Sequence, residues 1–235
     1  GLRGDMIAYR VRAGLAVNSG SGSAALLAPK AALAWQPAPG LEFYANYGEG
    51  YHSNDVRGAT ISIDPTSGAP APRVPVMARA RGAELGGRLE RGTLSATLAL
   101  FRLDLASELV FAGDTGTTEA NAASRREGAE LALFWKAGGV VTLDAAAAWT
   151  RARYRGVATG QDYVPNATPF VLGAGASLRL GPHWSASARI RHFAGAPLTE
   201  DGLHRAQATT LVNLGAYWTG GGWRLGADLL NLFDA

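Results

Sequence analysis

The side chains able to do chemistry in this sequence are few and dispersed. Histidine occurs four times, at His52, His183, His192 and His204. Imidazole ligates haem iron and transition metals. No two of these histidines stand at His-x-His or His-x₃-His spacing, so the sequence encodes no metal pair. Serines are plentiful, yet none lies in a G-x-S-x-G elbow. The carboxylates are spread one or two per strand, too thinly for an acid–base pair to be argued from spacing. The glycine clusters "GEG", "AGGVV" and "GAGAS" lie in turns and strands and do not open a helix as a phosphate loop would. Cysteine is absent, which excludes disulfides and thiolate chemistry. We expect no enzyme and no cofactor.

What remains is binding chemistry. The stretch "HSNDVRG" holds His52, Asn54, Asp55 and Arg57, and further basic groups follow at Arg125, Arg126, Arg151, Arg153, Arg155, His204 and Arg205. Guanidinium forks suit carboxylates and catecholates, so these arginines could receive an anionic chelate. They could equally pair with neighbouring Asp and Glu or with anionic lipopolysaccharide. Asn54 and Asp55 have a local reading too: both side chains readily bond nearby backbone and hold a turn. The candidate ligand set is His52, Asn54, Asp55, Arg57, Arg125, Arg126, His204 and Arg205. A net charge of +3 without a Lys/Arg run, the two lysines Lys30 and Lys136 being far apart, argues against a nucleic-acid partner.

The elements that position these groups are read from a period of two. In 140–150, Val141, Leu143, Ala145, Ala147 and Trp149 share one face; in 184–191, Trp184, Ala186, Ala188 and Ile190 do; in 223–230, Trp223, Leu225, Ala227 and Leu229 do. The split recurs at 7–15, 29–36, 41–48, 83–90, 93–100, 129–135, 170–180 and 211–218, giving about eleven strands. The apolar face, in the phase assigned, carries no charge. The other carries Arg10, Arg12, Glu42, Glu84, Arg88, Glu130, Asp144, Arg179, Arg189, Arg224 and Asp228. In 93–105 the apolar set changes phase at Leu100–Phe101, which predicts a β-bulge there or a strand leaving its apolar surroundings.

Three features separate a membrane barrel from a soluble β-sandwich. Short turns (37–40, 91–92, 137–139, 181–183, 219–222) alternate with long polar segments (18–25, 52–76, 112–126, 155–168, 194–207), as when one rim is tight and the other roomy. Trp35, Trp135, Trp184, Trp218 and Trp223 lie within a few residues of short turns, while Trp149 stands some ten residues up its strand. Ten tilted residues climb ~23 Å, close to the ~25 Å apolar band of such barrels, so the indoles mark two interfaces. The apolar face is also rich in Ala and Leu, which suits lipid better than an interdigitating core. No window approaches a spanning helix.

The segment Tyr44–Asp55, "YANYGEGYHSND", resembles the Y-x-N-Y-G-x-G-[FY]-H-S-N-D stretch of TonB-dependent outer-membrane receptors. "SELVFAGDTG" (107–116) followed by "SRREGAEL" (124–131), with its R-x-G-x-E-L descent, and "NLFD" (231–234) resemble further segments of those receptors in the expected order. The resemblance implies a 22-stranded barrel in the outer membrane of a Gram-negative bacterium. It also implies an N-terminal plug domain and uptake of a scarce nutrient energised through TonB, an iron–siderophore being the family default. The expected fold is thus all-β: an antiparallel up-and-down transmembrane β-barrel of which residues 1–235 form an incomplete, open half. On this reading the plug, the TonB-contact segment and the closing strand lie outside the sequence. The partners implied are the plug, TonB, outer-membrane lipid and lipopolysaccharide, and a metal chelate or other small ligand. A passive porin or adhesin barrel, or a soluble β-sandwich binding module, is the alternative.

Overall fold

The computed structural model describes residues 1–112 and 117–234, with the backbone alone for 108–112 and 117–121. Its elements are β1 (Leu2–Val11), β2 (Gly20–Ala38), β3 (Leu41–Ser53), α1 (Val56–Thr60), β4 (Met77–Arg91), β5 (Leu94–Leu105), β6 (Glu108–Ala112), β7 (Thr117–Asn121), β8 (Ser124–Ala137), β9 (Val141–Tyr154), β10 (Phe170–Leu180), β11 (Trp184–Phe193), β12 (Thr209–Gly220) and β13 (Trp223–Leu229). Eleven strands form one open antiparallel meander, β1-β2-β3-β4-β5-β8-β9-β10-β11-β12-β13, and β6-β7 makes a separate hairpin. The predicted motif at 107–116 therefore falls partly outside the described residues, at 113–116.

Side-chain period sorts the sheet into two faces. Register aligns Trp35, Phe43, Leu85, Leu98, Leu131, Trp149, Leu178, Trp184 and Leu225 on the outward face. These apolar side chains are open to the surroundings, Trp223 at 71% and Leu33 at 69% exposure. A water-soluble sheet would hide them; here the surroundings are hydrocarbon. The lumen face pairs its charges, Arg88 with Glu42 at 3.1 Å and Arg189 with Asp144 through two bonds of 3.0 and 3.1 Å.

Aromatic rings on the lumen side lie over glycines directly across the ladder. Tyr44 covers Gly86, Tyr9 covers Gly22, Phe101 covers Gly128 and Tyr217 covers Gly226. At Gly86 a Cβ would fall 2.2 Å from the Tyr44 ring, so these positions require the missing side chain. The Tyr217 hydroxyl continues past Gly226 to Asp228.

Three details depart from expectation. The first strand ends at Val11 and not at residue 15; Ser19 Oγ takes the Ala13 N–H at 2.9 Å and turns the chain. The run "GSGSAA" (20–25), read as loop, is the start of β2, since Gly22 makes room for Tyr9. No bulge interrupts β5: its register to β4 and to β8 runs unbroken from Leu94 to Leu105. Leu98 and Leu100 face outward, and so do Arg102 and Asp104 above them. Polarity swaps faces because the strand leaves the hydrocarbon, not because the backbone slips. The same reversal explains β1, where Leu2 and Met6 are exposed while Ile7, Tyr9 and Val11, assigned to the apolar face, point inward. The one shift in the main ladder falls between Trp35 and Ala38, at the "QP" step.

Candidate ligand-binding rim and lumen

Five tight turns close one rim, each with glycine in the left-handed region at Gly40, Gly92, Gly138, Gly139, Gly181, Gly221 or Gly222. The other rim carries the segments 12–19, 54–76, 106–112 with 117–123, 155–169 and 194–208. The predicted binding residues all lie at or near that roomy rim.

In 54–76, most of the polar groups secure the loop itself. Asp55 caps α1, accepting the Arg57 N–H at 2.8 Å, and the Arg57 guanidinium forks back onto the same carboxylate at 2.5–3.1 Å. The guanidinium bond, then the backbone N–H, holds the Asp55 carboxyl below its ordinary pKa. Asn54 donates to the Pro75 carbonyl at 2.7 Å and is buried. Asp64 accepts the Ser67 and Thr66 N–H groups, which also lowers its pKa. Asn18 clamps this loop to 12–19: its Oδ1 accepts from Ser62 and Ile63, its Nδ2 donates to the Ile63 carbonyl, and Thr60 Oγ1 donates to its backbone oxygen. Asn18 was not among the residues singled out, because a lone asparagine in a loop gives no pattern to read.

His52 is placed differently. It stands across from Ala78, on the parity of Ala80, Gly82 and Glu84. Its Nε2 is buried with no hydrogen-bond partner among the described residues. Beside it a hollow of about 480 Å³ opens where β2–β3 pairing stops at Lys30–Gly48, lined also by Arg3, Asp5, Ala28 and Tyr51.

The adjacent residues Arg125 and Arg126 point to opposite faces. Arg125 sits across from Asp104 on the outward parity and donates to it at 2.8 Å, while Arg126 sits across from Leu103 on the lumen parity. Arg191, on the lumen parity of β11 near its upper end, has no ion pair among the described residues. It was assigned to the charged face but not to the candidate site; its open surroundings could not be read from alternation.

In 194–208 the backbone forms a narrow hairpin through Pro197–Arg205 and joins 155–169 by Tyr163 N–H to the Glu200 carbonyl at 3.0 Å. His204 is exposed at its tip. Arg205 donates to the Gly195 carbonyl at 2.8 Å and lies 5.9 Å from the Tyr163 ring. Asp201, bonded by the Thr199 hydroxyl and then by the Leu203 N–H, titrates below its usual range. Among the described residues no group of three or more metal-ligating side chains gathers.

A sheet apolar outside and charged inside, tight at one rim and looped at the other, is a membrane-barrel wall. The family model described as "TonB dependent receptor-like, beta-barrel" matches residues 1–232. The chain belongs to the TonB-dependent receptor β-barrel family. It is therefore a segment of a Gram-negative outer-membrane barrel. Comparison with curated proteins gives no match. Among solved structures, the chain is similar over its whole length to the FrpB iron transporter from Neisseria meningitidis (17% identity, TM-score 0.70, 38% of that chain). It is similar likewise to BauA, the ferric preacinetobactin receptor from Acinetobacter baumannii (18%, 0.73, 36% of that chain), and to the copper transporter OprC (18%, 0.75, 39% of that chain). At these identities the likeness is one of fold. The chain spans less than two-fifths of the length of these receptors.

Proposed function

We propose that this segment supplies wall and outer loops to a TonB-energised importer of a scarce nutrient, with an anionic iron–siderophore chelate as its ligand. The observation that carries the reading is family membership across nearly the whole chain, joined to basic side chains placed on the lumen side of the upper wall. Two open edges, β1 and β13, leave a membrane-embedded sheet with unpaired backbone groups. The remaining strands then come from the rest of the protein, and this segment is the C-terminal portion of a 22-stranded barrel. The lumen carboxylates and their arginine partners face an N-terminal plug, whose TonB-driven rearrangement releases ligand inward. The protein binds and gates; it performs no covalent chemistry.

Within the candidate set, His52 and Arg126 suit ligand contact best, joined by Arg191, because all three share the lumen parity near the roomy rim. Asp55 and Arg57 satisfy each other, and Arg125 is turned outward to Asp104. Uptake of radio-iron presented as a panel of defined chelates, in cells with and without the gene under iron limitation, tests the reading. One chelate whose uptake requires both this gene and TonB is the expected result. Uptake of small solutes independent of TonB would instead identify a passive porin.

A further inference from the structure

A free strand edge also lies within the wall, between β2 and β3. The Lys30 N–H donates to the Gly1 carbonyl at 2.9 Å, and the Lys30 carbonyl accepts the Gly1 amine at 2.7 Å. Lys30 thus bonds toward β1, and the backbone groups of its neighbours Pro29 and Ala31 turn toward β3. Ala31 meets Tyr47, and the next such rung needs an N–H from Pro29, which proline lacks. Pairing ends at Lys30–Gly48, yet β3 continues to Ser53 against β4, and β2 extends back to Gly20 against β1. The Asn54 N–H bonds the Val76 carbonyl, so even-numbered residues at this end of β3 bond toward β4. The backbone groups of Tyr51 and Ser53 then look toward β2, where no ladder receives them among the described residues.

The hollow of about 480 Å³ at this point is lined by all five residues from Glu49 to Ser53. Successive residues of a strand point to opposite faces, so a cavity that touches all five runs along the strand's edge. Its far wall is Arg3, Asp5 and Ala28 of β1 and β2. Side chains fix the two walls where no ladder does: Tyr51 packs with Leu26, Ala28 and Met77, and Arg79 reaches the Leu27 carbonyl at 3.4 Å. Glu49 stands as far past the start of β3 as Trp149 past the start of β9, so the edge begins at the outer interface and rises into water. In hydrocarbon those backbone groups would have to be paired; here they are open to a partner. Arg3 holds Asp5 at 2.7 Å, while Arg79 and Arg81 hold Glu49, Arg81 at 3.3 Å. Three guanidiniums against two carboxylates leave the slot positive.

We propose that this slot takes an extended, acidic peptide segment of an extracellular protein, added as a strand to the free edge of β3. Alternating N–H and C=O groups along an edge are matched by an extended backbone, and the surplus guanidinium charge by an acidic side chain on it. Glu49 to Ser53 spans roughly 14 Å, room for a short strand. The inference stands on strand pairing and charge in this segment and is independent of which nutrient is imported.

The probe is an acetylated, amidated pentapeptide, Thr-Val-Asp-Val-Thr, titrated calorimetrically into the full-length receptor in nanodiscs. Methylating the nitrogens of alternate residues leaves the peptide one edge able to pair and should keep affinity within about threefold of the parent peptide. Methylating every nitrogen removes both edges and should weaken binding about tenfold or more. Replacing Asp by Lys in the peptide should weaken it at least about threefold. In hydrogen exchange the Tyr51 and Ser53 amides should be fast in the free receptor and about tenfold slower or more with peptide bound. Y51P deletes one edge donor and should weaken binding; if it does not assemble, the exchange measurement on the parent chain decides. No binding at millimolar peptide, equal affinity of the half- and fully methylated peptides, no preference for Asp over Lys, or exchange at Tyr51 and Ser53 unmoved by peptide overturns the proposal.

Discussion

Leu98 is the position at which the lipid-facing assignment can be tested most sharply. It lies on β5, outward and half exposed, four residues past the strand's first residue at the tight rim. At ~3.3 Å per residue and a tilt of ~45°, that places it roughly 10 Å above the inner turn, near the middle of an apolar band ~25 Å tall. An arginine at the midplane of such a barrel costs about 2–4 kcal/mol, and one near the interface about 0–1 kcal/mol. Leu98→Arg should therefore shift the folding equilibrium thirtyfold to several hundredfold, since each ~1.4 kcal/mol is tenfold. Leu94→Arg, at the inner end of the same face, should shift it by less than about tenfold. Thr97→Arg is the matched control, because its neighbour on the ladder is the lumen residue Arg88. The assay is denaturant-induced unfolding of the full-length protein in lipid vesicles, followed by tryptophan fluorescence and by the heat-dependent gel shift of folded barrel. If Leu98→Arg costs no more than Thr97→Arg, the outward face does not meet hydrocarbon and the architecture argued above is wrong.

Other consequences are as concrete. Gly128→Ala should lower thermal stability in detergent by about 1–3 kcal/mol, because overpacking is poorly absorbed. Its Cβ would meet the Trp149 carbonyl at 2.1 Å and Phe101 at 2.8 Å, whereas Gly173→Ala, with open space around it, should be nearly neutral. Asn18→Ala removes the clamp between the first two outer loops, so protease cleavage within 54–76 should quicken several-fold while barrel melting stays unchanged. Asp55 and Asp64 both have lowered carboxyl pKa values, so their contribution is whole above the ordinary carboxylate range and is lost as pH falls through the lowered values. Protection of that loop in hydrogen exchange should thus hold from neutral pH to about 4 and fail only below it. Arg126→Gln and Arg191→Gln should raise the KM for chelate uptake, while Arg125→Gln, facing lipid, should leave it unaltered.

The membrane wall was legible because lipid imposes one rule on every strand: alternate residues must be apolar over a fixed height. Eleven windows of period two became eleven strands, and the tryptophans beside short turns became the inner girdle. The rule also marks where legibility stops. Above the hydrocarbon nothing penalises a charge on the outward face, so in β5 the apolar set passes from Leu98 and Leu100 to the inward Phe101, Leu103 and Leu105 without any backbone change. Alternation read alone turns that crossing into a bulge. It also inverts β1, whose paired residues against β2 begin at Leu2–Pro29, some nine residues above the turn after Ala38.

The binding rim was harder to read, for a related reason. Residue type says what Arg125 and Arg126 can do, yet one step along a strand sends the first to Asp104 among lipid-side charges and the second into the lumen. The "HSND" stretch divides in the same way. Asp55 is consumed by local backbone and by Arg57, and Asn54 donates to the Pro75 carbonyl, whereas His52, two residues before Asn54, lies on the lumen parity of β3; the His52 Nε2 and the Asn54 Oδ1 are both buried without a partner among the described residues. The arginines that looked like one basic cluster are thus two, separated by the thickness of the sheet. On the proposed function, those on the lumen side would meet a ligand on its way in, while those outside face the membrane side of the sheet. Deleting a guanidinium from one set should alter transport, and from the other lipid affinity. A single variant that moved both equally would mean that the sheet does not separate them.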